Sequence, residues 1–170
     1  MSMFYFKIKQ NMFYYFLILS IFLADQLTKL IIKKNMIVYQ SKEVIKGFFN
    51  ITYIHNKGAI FGFLAHSQNP YISLFLMLAS LGALALIVYY FIKIPSEEKN
   101  LKISFSLILG GAVGNLFDRV VQGYVIDFLD FHIRKFHWPA FNLADASITI
   151  GALFLIFILL TGKPKCSLCS

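Results

Sequence analysis

Residues 71–92 read YISLFLMLASLGALALIVYYFI, 22 positions without a charge. As an α-helix rising 1.5 Å per residue, this stretch reaches roughly 33 Å, enough to cross a hydrocarbon layer of about 30 Å. The rest of the chain has the same character. Of its 170 residues 58% are hydrophobic and 14% charged, and the mean hydropathy is +0.69. A soluble domain is about 45–50% apolar and about 25% charged. So short a chain cannot hide the excess in one core, and it is too apolar to stay disordered. The class expected is an integral membrane protein, mainly α, built as a single domain.

Three more stretches are candidate spans: residues 11–32, 103–117 and 142–161. The third in chain order is short and rich in small residues (Gly110, Gly111, Ala112, Gly114) that let helices approach closely in lipid. Lys7 and Lys9 resemble the basic start of a signal peptide. Asp25-Gln26-Leu27-Thr28-Lys29 stands where a cleavage site would be, so a retained span is expected. Between the first two spans, in loop 33–69, Phe49, Ile51 and Tyr53 alternate with Asn50 and Thr52, and Gly47, Gly58 and Gly62 punctuate the segment. Period-2 patterning in strand-forming residues predicts a small sheet at the membrane surface. Residues 118–141 read as a second, longer loop.

With four spans, Asp25, Asp118, Asp127, Asp130 and Asp145 fall on one side of the membrane. Counting Lys and Arg does not decide which side that is. The net charge of +8 is spread between apolar segments. Anionic phospholipid head groups suit it better than nucleic acid. Cys166 and Cys169 form one isolated Cys-x-x-Cys pair at the end of the sequence, read as a plain tail.

Carboxylates beside a membrane persist when paired, hydrated or useful. Asp25 has Lys29 one helical turn away as a partner. Asp118 follows Asn115 and precedes Arg119, a cluster that can end a helix in a polar network. Asn142 can cap the fourth span, with Asp145 in its first turn near the positive helix end. Asp127 lies in Tyr124-Val125-Ile126-Asp127-Phe128, and so apolar a setting raises a carboxyl pKa and suits a general acid. Two carboxyls sharing a proton can perform aspartic-protease chemistry without a metal. A proton relay or a purely structural network remains open on these residues alone. His55, His66, His132 and His137 do not supply a His-Glu-x-x-His zinc motif, and no Gly-x-Ser-x-Gly element occurs. His132 and His137 read as interfacial loop residues. No metal and no cofactor are expected.

Five motifs in order resemble the lipoprotein signal peptidase, or signal peptidase II, family of bacterial aspartic peptidases. They are Asp25-Gln26-Leu27-Thr28-Lys29, Asn56-Lys57-Gly58-Ala59-Ile60-Phe61-Gly62, the run from Gly110 to Arg119, Gly123-Tyr124-Val125-Ile126-Asp127-Phe128, and Phe141-Asn142-Leu143-Ala144-Asp145-Ala146. The resemblance covers about residues 11–160. It implies a four-helix membrane bundle with an extracytoplasmic β-cradle in the bacterial cytoplasmic membrane, termini inside and acidic face outside. It implies Asp127 and Asp145 as catalytic dyad, with Asn56, Gly58, Asn115, Asp118, Arg119 and Asn142 lining or bracing the site and Asp25–Lys29 as a structural pair. The substrates implied are prolipoproteins carrying a diacylglyceryl-Cys, cut just before that Cys by a monomeric enzyme. A small transporter using the same carboxylates is the alternative.

Overall fold

A computed structural model describes residues 2–58 and 70–161, with the side chains of residues 2–10, 70–73 and 76 left undescribed. Gly62, Phe61, the rest of the second motif beyond Gly58, and Cys166 and Cys169 lie outside the described residues. The elements are α1 (Ser2–Asn35), β1 (Ser41–Ile45), β2 (Phe49–Asn56), α2 (Pro70–Lys93), α3 (Lys99–Gln122), β3 (Val125–Ile133), β4 (Phe136–His137) and α4 (Leu143–Thr161). Three helical stretches among the described residues, Asn11–Asn35, Lys99–Gln122 and Leu143–Thr161, are long and apolar enough to cross a membrane, and Met77–Lys93 is a shorter apolar helix.

The helices are built inside out relative to a soluble bundle. Phe16, Leu23, Leu78, Leu86, Leu153 and Leu160 are exposed, whereas Asp25, Lys29, Asn115 and Asn142 are buried. Lipid is as apolar as leucine, so it gives no reason to bury Leu, and polar side chains turn inward to find partners. α3 carries three buried glycines, Gly110, Gly111 and Gly114. A Cβ on Gly111 would press on the Ala144 carbonyl of α4, and one on Gly114 would come within 2.7 Å of Asp25 Oδ2 on α1. Gly111 lets α4 close on α3 backbone to backbone, and Gly114 leaves room for the Asp25 side chain of α1. Gly111→Ala is therefore expected to push α4 outward, lowering the unfolding midpoint in detergent by several degrees at a cost of about 1–3 kcal/mol. A variant as stable as its parent would show that the helices approach less closely.

The expected helix bounds need correcting. The third helix does not end at 117. It continues through Asp118 and Arg119 to Gln122, and Gly123 stops it in the left-handed region (φ +77°), its N–H donating to the Arg119 carbonyl at 3.1 Å. Asp118 and Arg119 thus belong to a helix, not to the loop beginning at residue 118. α1 likewise runs past both ends of the predicted 11–32 segment, reaching Asn35. Helix 70–93 agrees closely with the stretch 71–92.

The strand at 49–56 forms as its alternation predicts. It is one of four antiparallel strands in the order β1-β2-β3-β4. β3 lies within the region read as loop, and its periodicity is broken because Phe128 N and Leu129 N both donate to the Phe141 carbonyl. His132 and His137 are strand residues, facing each other across β3 and β4. Tyr53, Ile126 and Phe128 of the sheet pack on Ile32 of α1. This apolar wedge ties β3 to the helices and sets where Asp127 sits.

Candidate active site

The polar centre grows from the start of α4. Asn142 caps that helix: Asp145 N donates to Asn142 Oδ1 at 2.9 Å, and Asn142 N returns to Asp145 Oδ2 at 3.3 Å. This reciprocal pair satisfies two backbone donors that a helix start otherwise leaves open. The next donor, Ala144 N, is met by Asp25 Oδ1 of α1 at 3.0 Å. The cap expected from the sequence is therefore real, and it is shared with α1.

The same Asn142 reaches the other acid. Its Nδ2 lies 2.8 Å from Asp127 Oδ1, and Asn56 Nδ2 of β2 donates to Asp127 Oδ2 at 2.9 Å. Asn115 of α3 closes the ring, donating to Asp145 Oδ1 at 2.7 Å and accepting from Asn142 Nδ2 at 3.2 Å. Asp127 and Asp145 are thus fixed through one asparagine, one acid on a strand and the other on a helix start.

Asp127 is 2% exposed. Burial, joined by the nearby negative charge of Asp145, pushes its carboxyl up from 3.8 to about 7, against the pull of the two asparagine donors. Asp145 sits at the positive end of α4, an environment that suits negative charge. Asp127 is thereby poised to hold a proton near neutral pH, and Asp145 accepts from Asn115 and from the Asn142 N–H. Arg119 Nη2 donates to the Gly58 carbonyl at 3.3 Å, and Gly58 N donates to Asn56 Oδ1 at 2.9 Å. Both therefore brace the strand end that holds Asp127.

Beneath the dyad lies an ionic floor. Lys29 Nζ is 2.7 Å from Asp25 Oδ2 and 2.8 Å from Asp118 Oδ2, all three almost wholly buried, and it donates to Asn115 Oδ1 at 3.0 Å. The Asp25–Lys29 pair read from the sequence is present, and Asp118 joins it rather than the dyad. Gln26 escaped the sequence reading. Its Nε2 touches Asp25 Oδ2, the Gly114 carbonyl and Asp118 Oδ1. The available signal was its place in the polar motif at the end of the first span.

A cavity of about 330 Å³ opens beside Asp145 between α2, α3 and α4. Ala79, Ala83 and Ala112 form its small-residue wall, and Asn56, Asn115 and Arg119 its polar edge.

The family described as signal peptidase (SPase) II matches residues 17–161. The chain is 48% identical over 136 residues to a lipoprotein signal peptidase of Syntrophus aciditrophicus, covering 80% of this chain and 84% of that one. It is 45% identical over 152 residues to a lipoprotein signal peptidase of Francisella tularensis subsp. novicida, covering 89% and 94%. A bacterial membrane enzyme structure obtained by the in meso method at 2.3 Å resolution superposes with a TM-score of 0.77 at 35% identity, over 89% of this chain and 92% of that one. These relatives are peptidases by description, which leaves the transporter alternative without support. With this match over most of its length, the chain belongs to the signal peptidase II family.

Proposed function

We propose that this protein removes signal peptides from prolipoproteins as an aspartic endopeptidase, with Asp127 and Asp145 as the catalytic pair. The observation that carries the reading is Asn142, which bonds both carboxyls, one of which, Asp145, lines a cavity open between the helices. Asp145, ionised, takes a proton from water as the water oxygen attacks the scissile carbonyl. Asp127, protonated, donates to the developing oxyanion. The tetrahedral adduct collapses when the C–N bond breaks, and the leaving nitrogen receives the proton Asp145 took up. Arg119 and Asn115 line the cavity and hold the peptide beside the acids.

The substrate is a precursor whose Cys bears a diacylglyceryl group, cut just before that Cys. Signal helix and acyl chains are both apolar and arrive sideways through the bilayer. This suits a four-span, single-domain, monomeric protein of the bacterial cytoplasmic membrane, in contact with phospholipids. Its sheet and acidic centre face outward, and its termini lie in the cytoplasm. Within the Phe48–Phe63 segment, residues 48–56 cover the substrate from above; residues 59–63 lie outside the described residues. In-vitro cleavage of a lipidated and an unlipidated precursor tests the proposal. Lipid-dependent cutting before the Cys supports it, and no cutting of either rejects it.

The proton on Asp127 fixes a pH dependence. Its carboxyl titrates at about 7, so kcat/KM falls about tenfold per pH unit above that value. The Asn56 donor favours the ionised form, so Asn56→Ala moves this limb to higher pH. A pH–rate profile flat between about pH 6 and 8 would remove Asp127 as the proton carrier.

A further inference from the structure

A second polar cluster lies on the sheet, built from side chains the dyad does not use. Asp130 and His132 are two residues apart on β3, so their side chains leave the same face. His132 pairs with His137 across the β3–β4 ladder, and the two imidazoles stack with centroids 4.7 Å apart at 13°. His137 Nδ1 is 2.9 Å from Asp130 Oδ1. One ring nitrogen of each histidine and one oxygen of Asp130 all lie within 4.8 Å of one another. His132 is 9% exposed, and its buried Nδ1 has no hydrogen-bond partner. A buried nitrogen left so costs about 1–3 kcal/mol unless a ligand satisfies it. From the neighbouring strand, Asn50 Nδ2 donates to Asp130 Oδ2 at 3.1 Å, the kind of outer support that orients a metal-binding carboxylate.

We propose that Asp130, His132 and His137 bind a divalent transition-metal ion of the zinc class, with water completing a tetrahedron. Two imidazoles and a carboxylate are the donor set such an ion takes. Bonds of about 2.0–2.2 Å place tetrahedral ligand atoms roughly 3.3–3.6 Å apart, so atoms now up to 4.8 Å apart draw together while the 2.9 Å His137–Asp130 pair opens slightly on binding. His137 is the ligand that moves, because its side chain is 51% exposed and its strand is two residues long. The ion's role is to staple β4 to β3. It thereby fixes Phe136 and Trp138, which with His132 line an apolar cavity of about 430 Å³ on the sheet. The site takes no part in peptide hydrolysis and stands whether or not the dyad assignment does.

The test uses zinc alone on the tag-free full chain in detergent. Cys166→Ser and Cys169→Ser are included, because a Cys-x-x-Cys pair takes zinc by itself. Competition with a chromogenic chelator should show a single saturable site, and zinc should raise the unfolding midpoint. His137→Ala, at an exposed position, should weaken binding about tenfold or more and abolish the midpoint rise. Asp130→Asn should do the same, giving a second arm if the first variant folds poorly. Cobalt should give the visible absorption of a tetrahedral nitrogen–oxygen site. Non-saturating zinc uptake, or affinity unchanged in both variants, overturns the proposal.

Discussion

Asp127→Asn and Asp145→Asn each leave a protein that inserts and folds but processes precursor at least about 10³-fold more slowly. Each replacement keeps size and shape, so the packing around residue 127 survives. The amide cannot accept from both Asn56 and Asn142, because one of its two ends is now a donor. That mismatch is offset by removing a carboxylate that burial disfavours. The hydrolytic step has no such compensation. An amide at 145 can neither take the proton of water nor pass it to the leaving nitrogen, and one at 127 has no acidic proton to give the developing oxyanion. Accumulation of uncleaved precursor, with the variant present in membranes at normal level, is the expected readout. Normal processing by either variant removes that residue from the pair.

Removing Lys29 produces the largest loss of stability. Lys29→Met strips the buried cation that lies between Asp25 and Asp118, leaving two carboxylates beside each other with their counter-charge gone. Breaking a buried pair in this way costs about 3–5 kcal/mol. It also frees Asn115, which loses its Lys29 donor while holding Asp145. Unfolding in detergent should begin at much lower temperature, and activity should fall with it. A triple variant with Asp25→Asn and Asp118→Asn should regain part of the stability, because no uncompensated charge remains. A Lys29→Met protein as stable as its parent would mean that water or lipid head groups reach the floor.

Much of this was legible in the sequence where one local force dominates. Helix 70–93 follows from an uncharged run of sufficient length, and β2 from its alternation. The Asn142–Asp145 cap follows from a three-residue spacing, and the Asp25–Lys29 pair from a four-residue one. What escaped depends on partners far along the chain. Asn115, Asp118 and Arg119 look like the end of a helix in isolation. They stay helical because Lys29 and Gln26 of α1 meet Asn115 and Asp118 while Arg119 reaches the Gly58 carbonyl, and the true stop is Gly123. β3 escaped because the shared Phe141 carbonyl disrupts its alternation. Lys102 looks like a solvated loop charge, yet it is 2% exposed, donating to the Phe91 carbonyl at 2.6 Å and lying 4.1 Å above that ring. Its task is to close the end of α2, which no spacing rule reveals.

Asn142 has a consequence for biogenesis. It starts α4 and also grips the acid on β3, so the two acids proposed as the catalytic pair are not held together until α4, last in chain order among these helices, has docked. A nascent chain still threading into the bilayer is therefore harmless to its neighbours. Proteolytic competence arrives together with completed assembly, and any lesion that delays the last docking step will first be noticed as lost cutting rather than as lost protein.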